Sequence, residues 1–172
     1  YAVLLALGCT LLDNEEKMYV EKNPSLSSEL HSLTLCREDE LTIADYVFLS
    51  SEMNYGSLEQ ILRNVKHGTY ADPQESATVI LSCESIQGKE SMTLMGPGIK
   101  GEKQISVYPY IKKTITLYRN LNIEYPLGVD MSYEEDLEAK SIKLMWVLKN
   151  DATDEDAMEY AVELVQQFNN IM

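Results

Sequence analysis

Gly96-Pro97-Gly98-Ile99-Lys100-Gly101 is the stretch of this chain best equipped for chemistry. Glycines let a backbone turn several N–H groups toward one point, and a neighbouring lysine can offset the charge of a phosphate held there. The same corner also fits a strand exit that needs unusual backbone angles, with Pro97 unable to continue a ladder. It is neither a Gly-x-x-x-x-Gly-Lys-Ser/Thr loop nor a Gly-x-Gly-x-x-Gly turn. Lys100 opens a basic run that continues through Lys103, Lys112, Lys113 and Arg119, opposed only by Glu102. Five bases less one acid give +4 there, where a phosphate-bearing ligand or an acidic partner is attracted, although a solvated helix face carries the same signature.

The remaining reactive side chains are scattered. His31 and His67 are the only histidines and neither stands in a metal-ligand spacing, so no metal is expected. No nucleophile elbow is present. Nothing singles out a lysine for a pyridoxal phosphate Schiff base, so no cofactor and no catalytic residue are expected. Cys9, Cys36 and Cys83 are odd in number, far apart and set among apolar neighbours, which reads as buried packing thiols in a reducing, cytoplasmic setting.

The elements that must position these residues follow from periodicity. Ala2–Leu7 is apolar all round, a buried helix that Gly8 ends or that runs on through Leu12. Met18–Val20 reads as a strand. Asn23 and Pro24 open a helix with Leu26, Leu30 and Leu33 on one face. Ala44–Leu49 is a strand, and Ser57 caps a helix with Leu58, Ile61, Leu62 and Val65, closed near Gly68. Asp72-Pro73 turns the chain into Ala77–Gly101, which reads as a hairpin: Thr78–Cys83, a turn at Gln87-Gly88-Lys89, then a returning strand through Ser91–Met95. The register then weakens until Pro109, where a helix carries Ile111, Ile115 and Tyr118. Val129–Tyr133 and Ile142–Leu148 are strands, separated by an acidic turn at Glu134, Glu135, Asp136 and Glu138. A last helix, about Asp154 to Asn169, is capped by Thr153 and striped with Ala157, Ala161, Leu164, Val165 and Phe168. Alternation of helices and strands indicates one α/β domain over residues 1–172, a mixed sheet flanked by helices.

The chain has 14 basic and 28 acidic residues, a net charge of −14, which disfavours nucleic acid and anionic membrane as partners. No apolar run reaches the roughly 18 residues of a membrane helix. No basic region precedes the apolar start at Tyr1, so no signal peptide is expected and the chain is expected to begin inside a longer parent.

Three motifs in order carry a family resemblance: Ala77-Thr78-Val79-Ile80-Leu81, then Met92-Thr93-Leu94-Met95-Gly96-Pro97-Gly98-Ile99, then Tyr125-Pro126-Leu127-Gly128-Val129-Asp130. With the opening Val3-Leu4-Leu5 and Asp13-Asn14, they resemble the PhnH family, the H subunit of the carbon–phosphorus lyase system, over roughly Tyr1 to Leu148. Tyr125 stands where that family usually has phenylalanine. The family's amino-terminal helix is absent, and its Pro-Arg-Thr-Thr strand ending is replaced by Leu148-Lys149-Asn150-Asp151 and an extra helix within 151–172. The resemblance implies a fold similar to a pyridoxal-phosphate-dependent transferase without the cofactor, and a non-catalytic or helper subunit of phosphonate catabolism. It implies the G, I and J subunits as partners, in a pathway that joins a phosphonate to the ribose of ATP with loss of adenine before the C–P bond is cleaved. A homodimer is expected for the isolated chain. Gly128 and Asp130 then join Gly96, Gly98, Lys100 and Lys103 as candidate contacts for an anion, a substrate or a partner. The alternative is a stand-alone enzyme or binding protein for a phosphorylated small molecule, built on Gly96–Gly101 and the adjoining bases.

Overall fold

The computed structural model describes residues 2–95, 99–135 and 143–147. Helix α1 spans Ala2–Leu11, strand β1 Lys17–Glu21, helix α2 Pro24–Thr34, strand β2 Arg37–Glu38, strand β3 Tyr46–Leu49 and helix α3 Tyr55–Asn64. Strand β4 follows at Thr78–Cys83, then β5 Glu90–Leu94, β6 Lys103–Val107, helix α4 Pro109–Asn120, β7 Asp130–Glu135 and β8 Lys143–Val147. The main sheet has the order β2-β1-β3-β4-β7-β8, in which all neighbours are parallel except β7 and β8. This is the mixed sheet flanked by helices that the pattern predicts.

Period-two alternation sorts the strand side chains between two cores. Met18, Val20, Phe48 and Ile80 face α1 and α2, where Leu4, Leu7, Leu26 and Leu30 are buried. Val47, Leu49, Val79, Leu81, Met131 and Tyr133 face α3 and α4, against Leu58, Leu62, Ile111 and Leu117. A strand apolar on both faces belongs between helices on both faces, which is why Val79, Ile80 and Leu81 are all buried.

That two-sided burial overturns the hairpin expected over Ala77–Gly101. β4 does not pair with the returning strand; it lies between β3 and β7, with Phe48 opposite Ile80 and Ile80 opposite Ser132. The returning strand β5 instead forms a separate antiparallel ribbon with β6, Glu90 opposite Val107 and Leu94 opposite Lys103. β6 falls where the register looks weak, yet Gln104, Ile105, Ser106 and Val107 alternate exposed, half-buried, exposed, buried, as a strand with one packed face must. Gly88 is small for a reason other than the expected hairpin turn: a Cβ there would run into the backbone of Val107 and Tyr108, where β6 passes into α4.

Element ends also depart from expectation. Asn54, not Ser57, caps α3, its side-chain oxygen accepting the Ser57 N–H at 3.0 Å. α3 stops at Val65 rather than near Gly68; Gly68 has φ +78° in the following turn, where a Cβ would lie 2.6 Å from the Pro73 carbonyl oxygen. Asn23 caps α2 as expected, accepting from Leu26 N–H at 3.1 Å. α1 runs on through Gly8 to Leu11. The buried stripe of α4 is Tyr110, Ile111, Thr114 and Leu117, with Ile115 and Tyr118 at its margin. Glu134 and Glu135 belong to β7, not to a turn, and Ile142–Leu148 appears as β8. Cys36 and Cys83 are buried, but Cys9 is exposed, because it lies on the face of α1 turned from the sheet. The expected helix from Asp154 to Asn169 lies outside the described residues.

Candidate functional site

The six candidate residues do not form one constellation. Gly96 and Gly98 lie outside the described residues. Lys100 and Lys103 are exposed at the end of the β5–β6 ribbon, Lys103 opposite Leu94. Gly101 is exposed with φ +78°, in open space. Gly128 and Asp130 sit instead at the entry to β7. The end of the ribbon away from Lys100 and Lys103 leads into the first turn of α4, whereas Asp130 lies near Tyr118 in the last turn of that helix.

The rest of the basic run is partly committed. Lys112 Nζ holds Glu90 Oε2 at 2.8 Å, tying α4 to the ribbon. Lys113 Nζ stands 5.6 Å from the centre of the Tyr55 ring, a cation over an aromatic face between α4 and α3.

Gly128 and Asp130 belong to a packed joint. Gly128 N–H donates to the His67 carbonyl at 3.1 Å, and Asp130 N–H donates to the Ala77 carbonyl at 3.3 Å. The preceding Tyr125-Pro126 peptide is cis. Tyr118 OH and His67 Nδ1 are 3.2 Å apart. His67 Nε2 is buried with no hydrogen-bond partner among the described residues. Burial lowers the His67 pKa, partly offset by the carbonyls of Arg63 and Leu62 near the end of α3. Burial raises Tyr118, with the Asp130 charge adding to it and Val129 N–H opposing it. A neutral imidazole wedged beside a neutral phenol is a structural joint between the α3–β4 connection, α4 and β7. Sequence reading places His67 beside a helix end but misses Tyr118, because the two are 51 positions apart and only the packing of α4 joins them.

In parallel α/β sheets ligands usually meet the carboxyl ends of the strands. Here that edge is acidic: β1 ends at Glu21 and β2 at Glu38, while Glu52 and Glu84 follow β3 and β4. Two of these carboxylates are held by tyrosines. Tyr19 OH donates to Glu21 at 2.6 Å and Tyr108 OH to Glu84 at 2.8 Å; Glu84 N–H in turn donates to Glu52 at 3.1 Å. The hydrogen bond to Glu84 pushes the Tyr108 phenol up to about 12.

The opposite edge is organised by Asp45. It accepts from Lys66 Nζ at 2.8 Å and from Lys17 N–H at 3.1 Å, joining β1, β3 and the strand-leading segment before β4. Burial, then Asp45 and Asp13, raise the Glu16 carboxyl. Cys36 Sγ donates to the Glu16 carbonyl at 3.1 Å, and burial pushes that thiol up to about 11, so it is no thiolate nucleophile. Among the described residues no group of three His, Cys, Asp or Glu is placed to hold a metal ion, and no helix is long and apolar enough to cross a membrane.

No curated protein matches the chain at a significant level. The family model described as bacterial phosphonate metabolism protein (PhnH) matches residues 1–138. That span contains both faces of the sheet, the ribbon, and the Tyr125–Asp130 joint whose backbone is locked to His67 and Ala77. The match covers most of the chain, and with it the ordered motifs become one family signature: this chain belongs to the PhnH family of bacterial phosphonate metabolism proteins.

Proposed function

We propose that the chain is a helper subunit, without catalytic residues of its own, of the carbon–phosphorus lyase system. It supports the transfer of a phosphonate to the ribose of ATP, ahead of C–P bond cleavage, in assembly with the G, I and J subunits. The observation that carries this reading is the family match over residues 1–138. The acidic carboxyl edge of the sheet supports it, because the place where an α/β enzyme would hold a phosphate here repels one. The mostly parallel sheet with helices on both faces is compatible with a transferase-like fold that has shed its cofactor.

In the same proposal, residues 1–172 form one domain, the chain works in the cytoplasm, and it dimerises when alone. Lys100 and Lys103, exposed on the ribbon, are its partner-facing cations. Gly128 and Asp130 act indirectly, by fixing the entry to β7. The stand-alone binding protein is the weaker reading. Lys112 is engaged by Glu90 and Lys113 lies over Tyr55, so less of the +4 segment is available to a ligand than its sequence promises.

Co-expression with the G, I and J subunits, followed by affinity capture of one of them, tests the assembly. The chain should co-purify in fixed ratio, and Lys100→Glu with Lys103→Glu should weaken retention. Isolation of a G–I–J complex that never retains the chain would overturn the reading.

A further inference from the structure

We propose that the crevice between α3 and β1 is a binding site for a guanidinium group carried on a short apolar stem. Its position follows from the strand order. β1 connects outward through α2 to β2, whereas β3 connects the other way through α3 to β4, and the two helices lie on opposite faces. The sheet therefore has a topological switch point between β1 and β3, where parallel α/β folds leave a crevice at the carboxyl ends of the strands. On the α3 side this crevice has a volume of 490 Å³. Lys22, which leaves β1 at that point, has φ +52°, a left-handed conformation uncommon for a residue with a side chain.

The lining matches such a group part by part. Glu21 shares the α3 face with its register partner Leu49, and its side chain is only 13% exposed. Burial alone would raise this carboxyl, but the Tyr19 hydroxyl and Lys22 outweigh it and hold Glu21 below the ordinary value, so it is an anion. Oε2 accepts from Tyr19 OH at 2.6 Å and Oε1 from Lys22 Nζ at 3.0 Å; each oxygen can accept one hydrogen more. Glu40 also lines the crevice and makes no ion pair among the described residues. Ser57, Gln60, Ile61 and Asn64 recur at helical spacing and form the α3 wall. Asn64 Nδ2 donates to the Gln60 carbonyl at 2.7 Å, which leaves Asn64 Oδ1 and Gln60 Oε1 as acceptors. Leu41 and Ile61 continue the core beneath and offer an apolar surface to a stem. A planar fork of five donors serves several such acceptors at once, whereas an ammonium is a point charge with three.

Lys22 shows which charge the crevice takes. Its ammonium, on a side chain 80% exposed, already sits on Glu21. Glu21 and Glu40 against Lys22 leave the lining at −1, and Glu38 adds to the negative field at Tyr19. An exposed pair of this kind contributes little, so Lys22 can yield Oε1 to an incoming guanidinium. The acidity that turns a phosphate away from this edge is what draws a cation to it. The site does not depend on the chain's being a lyase subunit.

The test is a backbone amide NMR titration of the whole chain with butylguanidinium, as a free small molecule, and with acetyl-Gly-Arg-Gly-amide, as a side chain on a peptide. Tetramethylammonium, a cation without N–H donors, is the control. Saturable shifts are expected in residues 19–22, 40–42 and 57–64, and the guanidinium probe that saturates first identifies the source of the group. Glu21→Gln should raise Kd about tenfold or more through loss of a charge-assisted pair. Lys22→Gln should lower Kd about threefold by removing the competing ammonium. Arg37→Gln removes one positive charge outside the crevice and should leave Kd unchanged. Matched thermal melts confirm that the variants fold, and Lys22→Gln, at an exposed side chain, keeps the test decisive if Glu21→Gln does not. Three results would each overturn the proposal: no saturable shift in those residues, tetramethylammonium binding as tightly as both guanidinium probes, or equal tightening by Lys22→Gln and Arg37→Gln, which would reduce the effect to the general field of the chain.

Discussion

At the scale of single residues, His67 is the side chain whose environment makes the sharpest demand. Its burial favours the neutral ring, so its pKa lies below the ordinary 6.5. The unfolded chain takes up a proton near pH 6.5 that the folded chain resists. Stability contributed by keeping His67 neutral is therefore complete above that pH and is lost as pH falls toward the lower folded value. Between pH 7 and 5.5 wild type should lose stability more steeply than His67→Gln, by at most about 1.4 kcal/mol per pH unit. Urea melts at several pH values measure both slopes; parallel slopes would show that His67 protonates freely in the fold. The difference between the two proteins isolates His67 from every group they share. Asp45 illustrates the opposite use of a charge. With Lys66 and the Lys17 N–H both on its carboxylate, it closes the amino edge of the sheet.

At the scale of elements, glycines divide the connections into those that need the absence of a side chain and those that do not. Gly88 is packed against the Val107–Tyr108 backbone, where Tyr108 N–H also donates to the Ile86 carbonyl at 3.0 Å. Gly88→Ala must push that junction apart and should destabilise by about 2 kcal/mol. Gly56, in the first turn of α3, has only Asn54 Oδ1 nearby, at 3.8 Å. Gly56→Ala should stabilise by about 0.5 kcal/mol, because alanine loses less backbone entropy on folding. Denaturant midpoints of the two variants should shift in opposite directions at constant m-value. A neutral Gly88→Ala would mean that the ribbon is not held against the start of α4. The ribbon needs such anchoring, since two strands alone bury too little to stand in water. Gly88, the Lys112–Glu90 pair and half-buried Met92 and Ile105 fasten it to α4 and the core.

At the scale of the whole molecule, the net charge of −14 opposes compaction. Raising NaCl from about 0.05 to 0.5 M shortens the screening length from roughly 14 to 4 Å and should raise the melting temperature. A fall in melting temperature would show that specific pairs such as Lys66–Asp45 outweigh the general repulsion. The same field bears on the proposed assembly, because the exposed ribbon cations Lys100 and Lys103 offer local positive charge to a partner.

What the sequence by itself determined was local. Apolar periodicity gave α1 to α4, cap chemistry gave the start of α2, and the β-rich runs gave β1, β3, β4 and β8, since these patterns act over a few residues. The ordered motifs gave the family, which the match over residues 1–138 bears out. What the tertiary structure decided was pairing. Thr78–Cys83 and Ser91–Met95 read as partners because they are adjacent in sequence, yet a strand buried on both faces gains more between β3 and β7 than beside a half-exposed ribbon. β2, at two residues, carries no periodicity to read. The His67–Tyr118 contact was invisible for the same reason: it joins residues 51 positions apart, and only the order of strands and the helix faces bring them together.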